Sequence, residues 1–466
     1  MEKAVIFGAG QFGKISLAKL KFAYDVVAFA DNSPSVWGTE VMGLPVISPR
    51  ELASMDALAF ISPERYWREI AEQLDGLGVR YLVLNAFLTY RLTNHRIFPF
   101  RVGNLTPYKK KAAGEFSVLF VQQYLCARTD KIAAALKAIG VRTCAAFQFT
   151  PSREEAAYDA QAPIFSYEEL LQYVNRSEFD AVHCSNEDDS LTSLLIHSNK
   201  TVIFDCHDIS SESYSYILPE RFLLEYIANT RSDGILVFSE EAKAVLCEKY
   251  GLDPEKVLVV GNYPSVGLFP VEKMEKLSAG DGELHCVYEG GLVFEEQTTV
   301  KKYFLSRLFL AFAGAGVHVH FYSPSDAAQC RALAARHPLL HYEGSLSGRA
   351  LITRMQKYDL GFALFNISDG VMDSYLRMCS PNKLFEYLAA GLPLITNVDT
   401  FSQFCGTYGC GRHIDMEGDI AAQCREAAKL RVDGDFLERH GFTMDASAHR
   451  ILTFYKKTKE RKTGGR

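Results

Sequence analysis

Short apolar runs alternate with amphipathic segments along almost the whole chain, and this alternation is the strongest constraint on what it can fold into. The first series holds "KAVIFGAG", "DVVAFAD", "DALAFIS" and "RYLVLN", with helical stretches such as "QFGKISLAKLKFAY" between them. A strand can reach a parallel neighbour only through a long crossover, so such a pattern demands parallel sheets covered by helices. "TPYKKKAAGE", Thr106 to Glu115, interrupts it with Pro, Gly and consecutive lysines, and reads as a linker. A second series runs from "FSVLFVQQYL" through "VRTCAAFQF", "FDAVHCS", "TVIFDCHD" and "GILVFS" to "KVLVVGNYP". A third runs from "LHCVYEGG" through "VHVHFYS", "LLHYEGSLS" and "YDLGFALF" to "LPLITN", and the chain then turns helical.

The expected fold class is therefore α/β, with three tandem Rossmann-like units. Their expected limits are residues 1–105, the linker 106–115, 116–268 and 269–430, followed by a C-terminal helix and basic tail over 431–466. A chain of 466 residues is too long for one ordinary core. Its 48% apolar content is enough for several cores and excludes a disordered chain. A net charge of −6 gives no global basic footprint, so no nucleic-acid partner is expected. The 11 cysteines are scattered without a CxxC pair, and no apolar run reaches the roughly 18 residues of a membrane span. With a strand directly at the N-terminus, these features point to a cytoplasmic protein.

Gly8, Gly10 and Gly13 form GxGxxG between the first strand and the first helix, and Asp31 ends the next strand. Glycines in that turn let backbone approach a phosphate, and a carboxylate at that distance can hold a ribose. A nucleotide or NAD-like ligand for this unit follows from one reading. A tight turn that serves only the fold follows from the other. Hydride chemistry lacks support, because the Tyr-xxx-Lys spacing that such enzymes use occurs only at Tyr455 and Lys459, in the basic tail.

"CSPNKLFEYLAAGLPLI", Cys379 to Ile395, reads as one helix with a start and a stop. Ser380 suits the N-cap, Pro381 the first turn, and Gly391 with Pro393 the exit. Leu384, Phe385 and Leu388 share the face that packs on a sheet. Lys383 and Glu386 fall on the other face. They read either as a solvated i,i+3 pair or as a ligand site at the helix mouth. In the second reading the free N–H groups and Lys383 face a diphosphate, while Glu386 accepts ribose hydroxyls. Gly290 and Gly291 supply a backbone turn that can approach the same phosphates.

That string resembles the nucleotide-binding segment of glycosyltransferases in the large retaining, glycogen-synthase-like group, the type that builds bacterial surface polysaccharides. "VIFDCHDISSES", "HCVYEGGL" and "SEEAKAVLCEKYGLDPEKVLVVGNYP" resemble further parts of the same enzymes, so the resemblance spans roughly Phe116 to Phe404. It implies a GT-B twin-domain body made of the second and third units. It also implies transfer, with retention, from a nucleotide-diphosphate sugar to a lipid-linked glycan in capsule or O-antigen assembly. No cofactor is required for such transfer. The implied donor contacts are Gly290, Gly291, Ser380, Asn382, Lys383, Leu384 and Glu386. His207 and Asp208 lie at the reacting sugar, with Asp208 orienting His207. The N-terminal unit, with "DNSPSVWGTEVMGLPVISP", resembles the small domain of bacterial sugar O-acetyltransferases.

Two departures keep other readings open. The resembling enzymes place a second Glu where this chain has Met378, and basic residues where it has Glu295 and Glu296. A non-catalytic nucleotide-sugar binder and an NAD(P)-dependent sugar oxidoreductase are the alternatives. His318 and His320 share one strand face, but no Cys or carboxylate stands at companion spacing, so no metal is expected. "NEDDS", Asn186 to Ser190, reads as a helix start. The tail "KKTKERKTGGR" reads as a disordered end, with contact to anionic lipid, and so a peripheral membrane site, as the alternative.

Overall fold

The computed structural model describes residues 1–22, 24–63, 66–83, 106–110, 112, 114–150, 152, 155–164, 167–185, 189–213, 219–294, 303–367 and 373–464. Glu295, Glu296 and most of "NEDDS" lie outside the described residues. The chain forms two compact units. The first is Met1–Phe204 with Arg231–Asp233 and the C-terminal residues from Arg461. The second is Asp205–Thr230 with Gly234–Glu460. Three parallel-rich sheets carry the α/β architecture that the alternation requires.

The first sheet, in the first unit, holds β1 (Lys3–Phe7), β2 (Asp25–Ala30), β3 (Glu40–Val41), β4 (Leu44–Ile47), β5 (Leu58–Ile61) and β6 (Tyr81–Val83). Their order is β3-β4-β2-β1-β5-β6. The hairpin β3–β4 was not foreseen. It turns on Met42 and Gly43, both at positive φ, the geometry of a two-residue hairpin loop. Further strands are β7 (Ser117–Tyr124), β8 (Arg142–Thr150), β9 (Ala160–Pro163), β10 (Ala181–Ser185) and β11 (Thr201–Asp205). They run in the order β11-β10-β7-β8-β9. The helix Gln11–Leu20 packs on β8, where Phe22 meets Phe147 at 5.7 Å and the Lys19 ammonium donates to the Ile164 carbonyl at 3.0 Å. The N-terminal sheet is thus joined to the sheet that follows it.

In the second unit β12 (Gly234–Val237) and β13 (Val257–Val259) pair in parallel. Its main sheet has β14 (His285–Glu289), β15 (His318–Tyr322), β16 (Leu340–Tyr342), β17 (Leu360–Ala363), β18 (Leu394–Thr396) and β19 (Gly411–His413). The order is β16-β15-β14-β17-β18-β19, all parallel. Both faces are covered, which is why these strands read as unbroken apolar runs. Val287 and Tyr322 face a core with Leu351, Leu384 and Leu388, while Tyr288 and Phe321 face another with Phe309 and Phe312.

Two expectations about the chain's ends of helices change. The helix after Ser380 begins one residue late: Pro381 is its N-cap, with extended backbone, and Asn382 is its first residue. Ser380 therefore does not cap it. The Ser380 carbonyl instead accepts from Asn262 at 2.6 Å, which holds the entry segment. The basic tail is not a disordered end, because a helix runs over Met444–Gly464. Lys462 near its end pairs with Asp233 at 2.7 Å and donates to the Lys200 carbonyl, so part of the tail's charge is already used.

One close approach positions the helix Asn382–Ala389. The ring of Tyr387 lies on the backbone of Gly361 in β17, where an added Cβ would stand 2.3 Å from the ring. Gly361→Ala should therefore destabilise the second unit by about 1–3 kcal/mol through overpacking. Its unfolding midpoint should fall in a thermal or urea melt, with the first unit's transition unmoved.

Candidate functional site

The site begins with Tyr387. Its hydroxyl accepts from the Glu289 N–H at 2.8 Å and donates to the Phe362 carbonyl at 3.3 Å. The helix is thereby fixed to the C-terminal ends of β14 and β17, the edge at which parallel sheets bind ligands. Leu384, Phe385 and Leu388 are buried beneath it, as their shared face predicts. Gly391, at φ +76°, closes the far end.

Lys383 departs from its expected place. It is buried, 7% exposed, and makes no hydrogen-bonded pair with Glu386. The i,i+3 reading fails because the helix mouth points across the end of β14, so the second helical residue reaches inward. Its Nζ sits 4.0 Å from the ring centroid of Tyr288, 5.4 Å from Phe365 and 5.9 Å from Tyr303. Aromatic faces attract a cation, but they offer no hydrogen-bond acceptor in line. Nζ has no hydrogen-bond partner among the described residues. Burial pushes its pKa down to about 8, while Glu289 and Glu386 oppose that by charge. Among the described residues this ammonium has carboxylate charge nearby but no anion in hydrogen-bond contact.

The turn after β14 leaves room for one. Gly290 has φ +131°, and a Cβ there would stand 3.2 Å from Nζ and 3.3 Å from the Tyr288 hydroxyl. The Tyr288 hydroxyl donates to the Gly291 carbonyl at 2.8 Å, and the Gly290 N–H donates to the Tyr322 carbonyl at 3.1 Å. Glycine at 290 is thus required by both conformation and space. Glu386 and Asn382, one turn apart on the helix, are half-buried at the same mouth. Phe365 is held by Asn397, whose amide accepts from its N–H at 3.0 Å and donates to its carbonyl at 2.7 Å. Beyond Phe365 opens a cavity of about 800 Å³ whose lining includes Arg307, Arg377 and Asn397. Those arginines are basic groups that sequence spacing did not select, since they come from separate elements.

His207 and Asp208 follow β11, and His207 is not oriented by Asp208. Its Nε2 meets the Asp205 carboxylate at 3.0 Å, and Asp205 is fully buried. Asp208 is exposed, and its charge contributes to raising the Tyr375 hydroxyl. Strand periodicity carried the missed signal, because Asp205 and His207 are two residues apart and fall on one side. Met378 is buried, and its carbonyl accepts from Ser239 at 2.7 Å, so it cannot replace the carboxylate its position lacks.

The N-terminal turn is a separate place in the first unit. Gly8 has φ +102°, and a Cβ on Gly13 would meet the Gly8 carbonyl oxygen at 1.9 Å. Nothing lies within 4 Å of a Cβ on Gly10. Both Asp31 oxygens are engaged at 2.9 Å by backbone N–H groups, one from Ala9 and the other from Ser33. Glycines and carboxylate together hold the turn, whatever it binds.

In the second unit, then, a parallel sheet presents a helix mouth, a glycine turn and a caged cation at one edge. The chain has the fold of GT-B glycosyltransferases. Residues 1–81 match the family model described as C2185-like, N-terminal, and residues 63–263 match Glycosyltransferase Family 4. Among solved structures, HepE from Anabaena in complex with UDP and glucose is similar with a TM-score of 0.55 at 12% identity, covering 74% of this chain and 100% of that one. A second HepE structure, with UDP-glucose, has a TM-score of 0.50 at 13% identity and covers 75% and 100%. A glycosyltransferase from Rickettsia africae ESF-5 has a TM-score of 0.51 at 13% identity and covers 74% and 99%. No curated protein matches in sequence.

The caged ammonium makes a stability prediction. Lys383 has a folded pKa of about 8 against 10.5 when exposed. Below pH 8 both states are charged and the folded chain bears the full cost of burial. Between about 8 and 10.5 the unfolded state holds more protons, so stability rises with pH. Lys383→Met should therefore stabilise the ligand-free protein at pH 7 by on the order of 2–3 kcal/mol. The gain should shrink toward pH 10.5, as followed by thermal melts across that range.

Proposed function

We propose that this chain is a glycosyltransferase that takes a sugar from a nucleotide-diphosphate donor. One observation carries the reading: a buried ammonium with no hydrogen-bond partner among the described residues, at a helix mouth, beside a glycine turn that a side chain would crowd. The diphosphate supplies the missing anion to Lys383 at the positive end of the helix Asn382–Ala389. Glu386 accepts the ribose hydroxyls. As the glycosidic bond breaks, the leaving diphosphate gains charge, and these preorganised donors meet it without a required cofactor. The complexes of HepE with UDP and with UDP-glucose make UDP-glucose the first donor to try.

His207, steadied by Asp205, faces the transferred sugar in this reading, and Asp208 lies on the acceptor side. Transfer proceeds with retention, and the departing phosphate takes the acceptor's proton. The acceptor is a lipid-linked glycan of a surface polysaccharide. No helix among the described residues is long and apolar enough to cross a membrane, so contact with such an acceptor is peripheral, through the basic C-terminal helix. The first unit's glycine turn holds a nucleotide or a nucleotide-sugar as an accessory site.

Titration calorimetry with UDP tests the donor site. UDP should bind the wild type, and Lys383→Met should weaken it by roughly ten- to a hundredfold, the worth of a charge-assisted bond. Glu386→Ala should weaken it less. Unchanged affinity in both variants refutes the site. UDP binding with no release of sugar to water or acceptor would mark a binder rather than an enzyme. His207→Ala should lower turnover roughly a hundredfold or more with UDP affinity intact. Asp205→Asn should act in the same direction more weakly.

A further inference from the structure

We propose that His285, His318 and His320 form a site for one divalent transition-metal ion of the zinc type, with Asp281 and Glu343 orienting two of the imidazoles. The reading of His318 and His320 from sequence sought companions along the chain. The companions come from neighbouring strands. In the parallel register His285 of β14 lies beside His318 of β15, and His320 beside His341 of β16. Residues two apart share a face, so four imidazoles stand together. The ligand nitrogens of His285, His318 and His320 all lie within 4.8 Å of one another.

Hydrogen bonding shows what the cluster lacks. His285 Nε2 meets Asp281 Oδ2 at 3.0 Å, and His320 Nδ1 meets Glu343 Oε1 at 2.8 Å. Each ionised carboxylate only accepts, so each takes the one N–H of a neutral ring. The other nitrogens, His285 Nδ1 and His320 Nε2, are then both lone pairs, and they face each other at 2.9 Å. Two lone pairs at that distance need a cation between or beside them. A proton would meet that need only by charging a ring that is buried in the sheet. A metal ion meets the same need without charging a ring. Carboxylate–imidazole–metal chains are the usual way a ligating ring is held. Tetrahedral zinc sets its nitrogens roughly 3.3 Å apart, so the facing pair need open by only a few tenths of an ångström.

His318 supplies the third nitrogen, and its Nδ1 lies 3.0 Å from His341 Nε2, which steadies the ring. His285 and His320 are buried, while His318 and His341 are half-buried and the Asp281 side chain is 47% exposed, which leaves an entry path. The site lies at the N-terminal ends of β14 and β15, the opposite edge from Gly290 and Lys383. Its ion would therefore brace the sheet and take no part in sugar transfer.

The test uses the full chain stripped of metal by a chelator, then dialysed against micromolar Zn²⁺ or Co²⁺ near neutral pH. One ion per chain, a visible band of low-symmetry cobalt and a raised melting temperature with Zn²⁺ are expected. His285→Gln and His320→Gln should each lose at least tenfold in affinity, while His449→Gln, at an exposed position, should not. Glu343→Gln keeps every ligand and should weaken binding roughly ten- to a hundredfold. It serves where a histidine variant fails to fold. Substoichiometric binding by the wild type, or affinity unchanged in folded His285→Gln and His320→Gln, overturns the site. So does unchanged affinity in Glu343→Gln where neither histidine variant folds. UDP binding should be unaffected in all of these, which separates failure here from failure of the donor site.

Discussion

The contact of Tyr387 with Gly361 is the constraint from which the geometry around Lys383 follows. A phenol ring on bare backbone brings the helix closer to β17 than any side chain would allow. The hydroxyl then spans two strand ends, taking the Glu289 N–H and giving to the Phe362 carbonyl. With the helix at that height, Lys383 cannot reach solvent and enters the space between Tyr288, Phe365 and Tyr303. The cage is a consequence of packing, and the uncompensated charge is a consequence of the cage. A cation held this way costs stability without its anion, as functional groups often do.

Much of this was legible in the chain. Apolar runs placed most strands of the three sheets, because strands covered on both faces must be apolar throughout, while the short edge strands Ala160–Pro163 and Gly411–His413 escaped. Gly391 and the Leu384–Leu388 face were readable for the same reason, since caps and amphipathic faces depend on near neighbours. The hairpin at Met42 and Gly43 was missed because a non-glycine residue at positive φ hides the usual turn signal. The family match ends at residue 263, so the string around Lys383 that led the sequence reading stands outside it. The match instead covers the segments around His207 and Val257 that resemble the same enzymes.

What stayed hidden depends on pairs distant in sequence. Helical projection put Lys383 on an outer face, and nothing local could say that the helix mouth would be roofed by residues near 290 and 365. Asp205 was overlooked in favour of Asp208 because adjacency in sequence was weighed above strand periodicity, which sends neighbours to opposite sides. The histidines were judged by spacing along one strand, although β-sheet ligands assemble across strands. In each case the missing information was register.

The two edges of the main sheet show one rule of charge in opposite senses. At the C-terminal ends of β14 and β17, a helix mouth and a lysine gather positive charge, and among the described residues no anion hydrogen-bonds it. At the N-terminal ends of β14 and β15, two carboxylates meet two imidazoles whose other nitrogens face each other at 2.9 Å, a pair of lone pairs when both rings are neutral. His285 opens β14 and Gly290 follows its last residue, so the strand itself spans only about 17 Å. The Gly290 N–H also bonds β15 at the Tyr322 carbonyl, while His285 and His318 are paired in register at the other end. An ion at one edge would fix the same β14–β15 pair that frames the glycine turn at the other. With a ligand at each edge the sheet would be held at both ends, and its central apolar residues would only have to keep the two ends in register.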